Sequence, residues 1–187
     1  MAAAFEGDFE KALEYFDSSN GFFEDIEVAG KCFTLQKEAA RKYQGEVFHK
    51  KGIFNKAVES FNQCLKNCDL KGIHRGNSSF HSNLAHVFFD MGEFDLAENH
   101  VQEALDFMED RKWWRGNSVV YSIKSFLCAR IKNERLALEY LKKADDICLK
   151  LNKKYWLALQ LFVKGVISKE RLEQEELRSF LSLQPVT

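Results

Sequence analysis

Cysteine and histidine side chains are the first residues of this chain whose spacing could support chemistry. Cys64 and Cys68 lie one helical turn apart and His74 follows six residues later, which is half of a possible zinc site. The second pair of ligands is missing, and Cys64 falls where a repeated pattern needs a small buried side chain. We therefore predict no metal ligands, and we interpret the cysteines as core residues. Their odd number, without a CxxC pair, suits a reducing compartment.

Motifs for catalysis or cofactor binding are equally absent from the sequence. His81 and His86 are five residues apart, whereas a helical zinc motif needs a step of four. No GxxxxGK[ST], GxGxxG or GxSxG sequence occurs, so neither a phosphate loop nor a nucleophile elbow is indicated. The segment RGNS occurs twice, at 75–78 and 115–118, but it recurs at the period of a repeat and so marks the same corner in two copies. We predict a non-enzymatic protein without catalytic residues or cofactors.

Composition narrows the class of partner. The chain has 187 residues, 45% of them hydrophobic, which is enough for one ordinary core or a short solenoid. Its 27 basic and 28 acidic residues give a net charge of -1, so direct binding of nucleic acid or of an acidic membrane surface is not indicated. No apolar run approaches the ~20 residues that span a bilayer, and the first residues do not resemble a signal peptide. These features predict a cytoplasmic protein.

A repeat with a period of about 40 residues organises the sequence, and a fixed period in this range is the signature of a stacked array of helix pairs. Its leading alanines are Ala12, Ala57, Ala97 and Ala137. The last three are evenly spaced, and the first step is slightly longer. Each alanine is followed by further apolar or small residues at helical spacing, for example Val101 after Ala97.

Apolar residues at steps of three and four predict the helices of each unit. The predicted helices are about 9–24, 28–50, 55–68, 78–91, 95–109, 118–131, 135–151, 155–167 and 169–181. They divide the chain into a single array with these parts: a partial repeat 1–26, repeats of about 28–72, 73–112 and 113–152, and a C-terminal pair or cap 153–187.

Small and turn-forming residues fix details of these units. Ala85 and Ala97 are small enough to let two helices approach closely. Gly92 makes the turn between them, and Lys132 replaces this glycine in the next copy. Asn77 or Ser78, and Asn117 or Ser118 in the next copy, are good N-caps. The predicted helix 28–50 should bury one face that consists of Cys32, Leu35, Ala39, Tyr43, Val47 and Phe48.

Taken together, these units resemble the tetratricopeptide repeat. The matching residues are Leu84, Ala85, Phe88, Gly92, Ala97, Val101 and Ala104, and in the preceding copy Gly45, Phe48, Gly52, Ala57, Phe61 and Cys64. The period is 40 rather than the usual 34, and the proline that closes the usual repeat is absent. Longer repeats of this kind are similar to those of kinesin light chain, MalT-type regulators, and Rap and PlcR receptors. The resemblance implies an all-α fold, a right-handed α-solenoid of antiparallel helix pairs whose concave groove binds a peptide or protein segment.

The candidate groove consists of side chains on the first helix of each pair that point away from the second helix. These are Lys42, Tyr43, Glu46 and Lys50; Ser79, Asn83, His86 and Asp90; Val119, Ser122, Phe126 and Arg130; and Leu159, Phe162 and Val166. The row is polar at its front and apolar at its back, which suits a peptide with one charged and one hydrophobic end. A merely solvated helix face is an equally valid interpretation of the polar residues.

Three functions follow from these patterns. The first is a scaffold that binds a protein or peptide segment in the groove. Trp113, Trp114 and Trp156 are interpreted as sealing neighbouring helix pairs, with contact to the partner as the alternative. The second is a regulatory or oligomerisation module of a larger protein, which self-associates through its terminal helices, for example as a homodimer. The third, a metal-dependent or thiol enzyme, would need a bound metal or a reactive cysteine.

Overall fold

Helices make up nearly all of the chain that the computed structural model describes, which is residues 8–28, 34–74, 76–111, 118–151, 158, 160–169 and 171. Their bounds are α1 Phe9–Val28, α2 Thr34–Lys50, α3 Phe54–Leu70, α4 Asn77–Met91, α5 Phe94–Arg111, α6 Ser118–Arg130 and α7 Glu134–Leu151, and residues 160–169 are also helical. Within these ranges no residue lies in a strand, which confirms the predicted all-α class. The helices of the described part are all too short or too polar to cross a membrane.

The repeat period predicted from the sequence is confirmed by the burial of equivalent residues. Ala57, Ala97 and Ala137 are each 0% exposed. The residues that follow them by four and by seven are at most 3% exposed, and these are Phe61, Val101, Leu141, Cys64, Ala104 and Ala144. The second helix of each of these pairs therefore buries the same face. This equivalence supports a solenoid of helix pairs.

Two compact units divide the chain, residues 1–113 and residues 114–187. In the first unit α1 packs on α2, α2 on α3, α3 on α4, and α4 on α5. A cluster around Phe61, with Ala57, Leu84 and Val87, joins α3 to α4. In the second unit α6 packs on α7, and Val163 and Ile167 of the last described helical segment complete their core. Each unit is thus built from helix pairs that pack in chain order.

The turn inside each pair has the same backbone geometry in three copies. Gly52 and Gly92 have φ of 73° and 79°, and Lys132, in the equivalent place, has φ of 59°. In the last copy the Asn133 N–H donates to the carbonyl of Cys128 at 2.9 Å, as the Glu93 N–H does to Phe88. The prediction that Lys132 replaces the turn glycine is confirmed, although a side chain makes this left-handed conformation less favourable.

The predicted N-cap of α4 is wrong. Gly76 occupies the capping position without a side-chain hydrogen bond, and Asn77 is the first residue of the helix. The Asn77 side chain is 2% exposed, and its amide donates to the Asp69 carboxylate at 3.1 Å. The Asn77 side chain therefore links the start of α4 to the end of α3 through this hydrogen bond, and it does not cap its own helix. Asn117, its counterpart in the next copy, lies outside the described residues.

The predicted boundary and buried face of α2 also need correction. Val28 ends α1 instead of beginning α2, because nothing between Glu24 and Val28 breaks the first helix. Ala39 is exposed, whereas Ala40 is buried with Val47 against α1. Because α2 packs on both α1 and α3, its buried face is wider than the single apolar stripe that the sequence predicts. Cys32 and the side chain of Leu35 lie outside the description.

That wider face includes a buried carboxylate. Glu38 is 2% exposed, and the Arg41 guanidinium donates to its two oxygens at 3.0 and 2.9 Å. The Asn67 side chain, on α3, donates to the same carboxylate at 2.9 Å. A buried charge persists in a fold when it is paired and hydrogen-bonded. This network therefore joins α2 to α3 by polar contacts inside an otherwise apolar interface.

The cysteines whose side chains the structure describes are core residues, as predicted. Cys64, Cys68 and Cys128 are buried free thiols. Burial, reinforced by the neighbouring Glu38 carboxylate, raises the pKa of Cys64 strongly and that of Cys68 to about 11. Such thiols are protonated at neutral pH, which opposes both metal binding and nucleophilic attack.

Candidate functional site

Several of the predicted groove residues of the first unit meet where α2 and α4 face each other. Lys42 is paired with Glu46 at 2.6 Å, and the Asn83 amide approaches the same Glu46 oxygen at 3.5 Å. One turn further along, the imidazole of His49 contacts the Asp90 carboxylate at 2.8 Å. These contacts connect the first helices of two successive pairs. We call this surface the polar face and define it as Lys42, Glu46, His49, Lys50, Asn83, His86 and Asp90.

The side chains of the polar face are only partly covered. The exposed fraction is 21% for Lys42, 32% for Glu46 and 31% for Asp90, and Lys50 is exposed at the end of α2. Tyr43, which the sequence predicts to line the groove, stacks on Phe16 of α1 with ring centroids 6.1 Å apart. Its ring therefore contributes to the packing of α1 on α2 as well as flanking Lys42.

His49, His86 and Asp90 form the most compact group of potential ligands on this face. His86 Nε2 lies 3.4 Å from Asp90 Oδ2, and the two imidazole centroids are 4.4 Å apart at 85°. Burial, with a smaller contribution from the nearby His49, lowers the pKa of His86 to about 4, while Asp90 opposes the shift. His86 is therefore a neutral imidazole at pH 7.

Sequence reasoning placed His86 and Asp90 on the groove but missed His49. The signal was present, since His49 and Asp90 are 41 positions apart, close to one repeat period. Residues separated by one period lie on neighbouring first helices. A search for polar residues one period apart would have paired them.

In the second unit the predicted residues are placed differently. Ser122 is fully buried, its hydroxyl donates to the carbonyl of Ser118 at 2.8 Å, and it is therefore not accessible to a partner. Phe126 stacks on Phe162 with centroids 5.9 Å apart, and Phe162 remains 56% exposed. Arg130 is exposed at the end of α6. Leu159 and the tryptophans Trp113, Trp114 and Trp156 lie outside the described residues.

A second histidine pair lies between α4 and α5, away from the predicted groove. The Nδ1 atoms of His81 and His100 are 3.0 Å apart, so one ring must donate its proton to the other. Phe107 stacks on His81 and Phe88 on His100. This contact requires at least one ring to be neutral, because two imidazolium groups would each present a proton.

We expect this pair to make the fold less stable in acid. Burial lowers the pKa of His81, and burial together with His81 lowers the pKa of His100 from 6.5 to about 4. Asp69 and Glu103 oppose these shifts more weakly. Between pH 6.5 and 4 the unfolded chain therefore binds more protons than the fold does. The stabilisation is complete above pH 6.5 and is lost as the pH falls towards 4.

Thermal unfolding at a series of pH values from 7 to 4 tests this expectation. The Tm of the wild type should fall, and His100→Asn should fall less, because an amide near the Nδ1 position can hydrogen-bond but cannot take up a proton. The remaining fall in the variant comes from the other titrating groups, which include carboxylates as well as histidines. An identical decline in both proteins would contradict the role of the pair.

Comparison with known proteins gives the fold but no family. No family model matches the chain, and no curated protein matches it either. Among solved structures it is similar to BtubC (BKLC) from P. vanneervenii, with a TM-score of 0.67 and 17% sequence identity. The similarity covers 99% of this chain and 79% of that chain. It shows that the chain has a helical-repeat fold.

Proposed function

We propose that this protein is a non-enzymatic scaffold of the long tetratricopeptide-repeat type, and that it binds an extended peptide or protein segment along the polar face. Helical-repeat folds of this kind generally mediate protein interactions. The observation that carries the proposal is the arrangement of α2 and α4. Partly exposed polar side chains from two successive first helices lie in one continuous row, linked by the contacts of Asn83 and Asp90.

The chemistry of the polar face suits a peptide backbone with mixed charges. Asn83 offers both a donor and an acceptor, which match the N–H and C=O of an extended segment. Lys50 supplies a positive charge, while Glu46 and Asp90 supply negative ones. In the second unit, the exposed Phe162 stacked on Phe126 offers an apolar surface. We propose it as a contact for an aromatic or aliphatic side chain.

A displayed library of random linear peptides, selected against the whole chain, tests this function. The selected peptides should bind the wild type with a measurable Kd, and Asn83→Ala should raise that Kd about tenfold, a typical effect at a contact that matters. Asn99→Ala is the matched control, because Asn99 is exposed on α5, a second helix. Its Kd should match the wild type.

A pair of charge reversals provides an independent comparison. Lys50→Glu lies at the polar face, and Lys66→Glu makes the same change in net charge at an exposed position on α3. Only Lys50→Glu should change peptide binding. Peptides that bind all four variants as tightly as the wild type would place the binding surface elsewhere. A library that yields no binder, together with turnover of a small substrate, would overturn the scaffold function.

A further inference from the structure

Three donor atoms from two helices converge at one end of the polar face. His49 lies in the last turns of α2, while His86 and Asp90 lie one turn apart on α4. The Asp90 Oδ2 atom is 2.8 Å from His49 Nε2 and 3.4 Å from His86 Nε2. One ligand atom from each residue lies within 4.8 Å of the other two. Because ligands on one Zn²⁺ lie about 3.4 Å apart, small side-chain movements would let a single ion contact all three.

Local structure explains why the three side chains meet. A step of four residues places His86 and Asp90 on the same face of α4. The order of packing in the first unit then brings the end of α2 beside that face, so His49 approaches the carboxylate from the preceding pair. The ring of Phe54 lies 5.9 Å from that of His49 and covers one side of it.

The donor set matches the preferences of zinc and related divalent ions. Two imidazole nitrogens and one carboxylate oxygen bind Zn²⁺ with bonds of about 2.0–2.2 Å, so tetrahedral ligands lie about 3.4 Å from one another. The distance from Asp90 to His86 equals this spacing at 3.4 Å, and the distance to His49 is shorter at 2.8 Å, so a small outward rotation of one side chain admits the ion.

We propose that His49, His86 and Asp90 bind one divalent ion of the zinc class, which links the first helices of two successive pairs. Three protein ligands leave a fourth position, which a water molecule fills. The position faces solvent on the side of Asp90, whose side chain is 31% exposed, compared with 12% for His49 and 16% for His86. This inference does not rest on the proposed peptide binding.

Titration of the purified, metal-stripped chain with Zn²⁺ is the direct test. We expect one ion per chain, and a rise in Tm of about 5 °C or more when free Zn²⁺ is a hundredfold above Kd. His49→Asn and His86→Asn should each weaken binding at least about tenfold, because each leaves two ligands. Asp90→Asn, which keeps the size of the side chain and an acceptor oxygen, should weaken it as well.

A matched control comes from another histidine and carboxylate on the same unit. His74 Nδ1 lies 3.7 Å from Asp69 Oδ1, and within the described residues this is a pair and not a triad. His74→Asn should bind Zn²⁺ like the wild type. Helical circular dichroism of every variant must match the wild type before its affinity is compared.

Co²⁺ as a spectroscopic probe identifies the ligands without reference to stability. Nitrogen and oxygen ligands give visible d–d bands without the intense near-ultraviolet thiolate-to-cobalt transition that cysteine ligands produce. We expect the wild type to show the d–d bands without the thiolate-to-cobalt transition, and we expect His86→Asn to lose the d–d bands. Zn²⁺ binding that is absent, that persists equally in the three triad variants, or that shows thiolate ligation would overturn the proposal. In that case the carboxylate simply accepts hydrogen bonds from the two imidazoles.

The metal-binding proposal and the peptide-binding proposal can be refuted independently of each other. Peptide affinity is measured with Asn83 and Lys50 variants in the presence of a chelator, and metal affinity with the triad variants in the absence of peptide. A protein that binds peptide but no ion loses only this inference. A protein that binds an ion but no peptide loses only the proposed function.

Discussion

Glu38→Ala is expected to lower the free energy of unfolding by about 3–5 kcal/mol, because it removes one partner of a buried ion pair. The Glu38 side chain is 2% exposed and that of Arg41 is 17% exposed. Without the carboxylate the Arg41 guanidinium keeps its charge in a largely buried position, and Asn67 on α3 loses an acceptor. The cost is therefore that of leaving buried donors unpaired, which exceeds the net stabilisation that the pair itself provides.

Urea unfolding followed by circular dichroism measures this change, with Glu59→Ala as the control. Glu59 is exposed on α3, so its replacement should change stability by no more than about 0.5 kcal/mol. Glu38→Gln keeps the volume and one acceptor oxygen, and its loss should fall between those of the two alanine variants. If Glu38→Ala behaved like Glu59→Ala, the network would not be holding α2 on α3.

The order and burial of the helix pairs were predictable from the sequence because they depend on local spacing. Ala57, Ala97 and Ala137 mark positions where a second helix meets its first helix, and only a small side chain fits there. A pattern that returns at a fixed period carries this information without any knowledge of distant contacts. The left-handed turn at Lys132 was predictable for the same reason, from its alignment with Gly92.

The buried carboxylate was not predictable in this way. A pattern of apolar residues treats Glu38 as a surface residue and so placed Ala39 in the core instead of Ala40. Glu38 is buried where α2 packs on α3, and its carboxylate is satisfied there in part by Asn67, 29 residues away on another helix. Such pairing depends on side-chain orientation across an interface, and neither residue signals it alone.

The candidate site was predictable only in part. Directions on α2 and α4 sufficed to place Lys42, Glu46, Asn83 and Asp90 on one surface. The contact between His49 and Asp90 depends in addition on how far successive first helices are shifted along each other, a quantity that sequence spacing does not fix. Ser122 shows the opposite error, because a serine on the equivalent row of α6 is fully buried.

Phe61→Ala is expected to lower the free energy of unfolding by about 3–5 kcal/mol, the usual cost of emptying a large buried site. Phe61 is 0% exposed and packs with Ala57, Leu84 and Val87 between α3 and α4. The same substitution at Phe22, which is 69% exposed on α1, provides the control and should cost far less. Denaturant midpoints of the two variants give the comparison directly, and equal losses would contradict the packing.

Gly45 determines how closely α2 can approach that ring, and a double-mutant cycle measures the effect. A Cβ atom on Gly45 would lie 2.8 Å from Cε1 and 2.9 Å from Cζ of Phe61, too close for a ring that is enclosed on all sides. Gly45→Ala should therefore destabilise the wild type by about 1 kcal/mol, since overpacking outweighs the gain in helix propensity. In the Phe61→Ala background the ring is gone and only the 3.1 Å contact with Ser60 Cβ remains, so the same substitution should be neutral or stabilise by up to about 1 kcal/mol, the difference in helix propensity between the two residues. Gly21→Ala on α1, where an added Cβ meets nothing within 4 Å, should stabilise in both backgrounds. If the stability effect of Gly→Ala depends on the background only at position 45, glycine is needed there to leave room for the Phe61 ring. Additive effects at both glycines would refute this explanation.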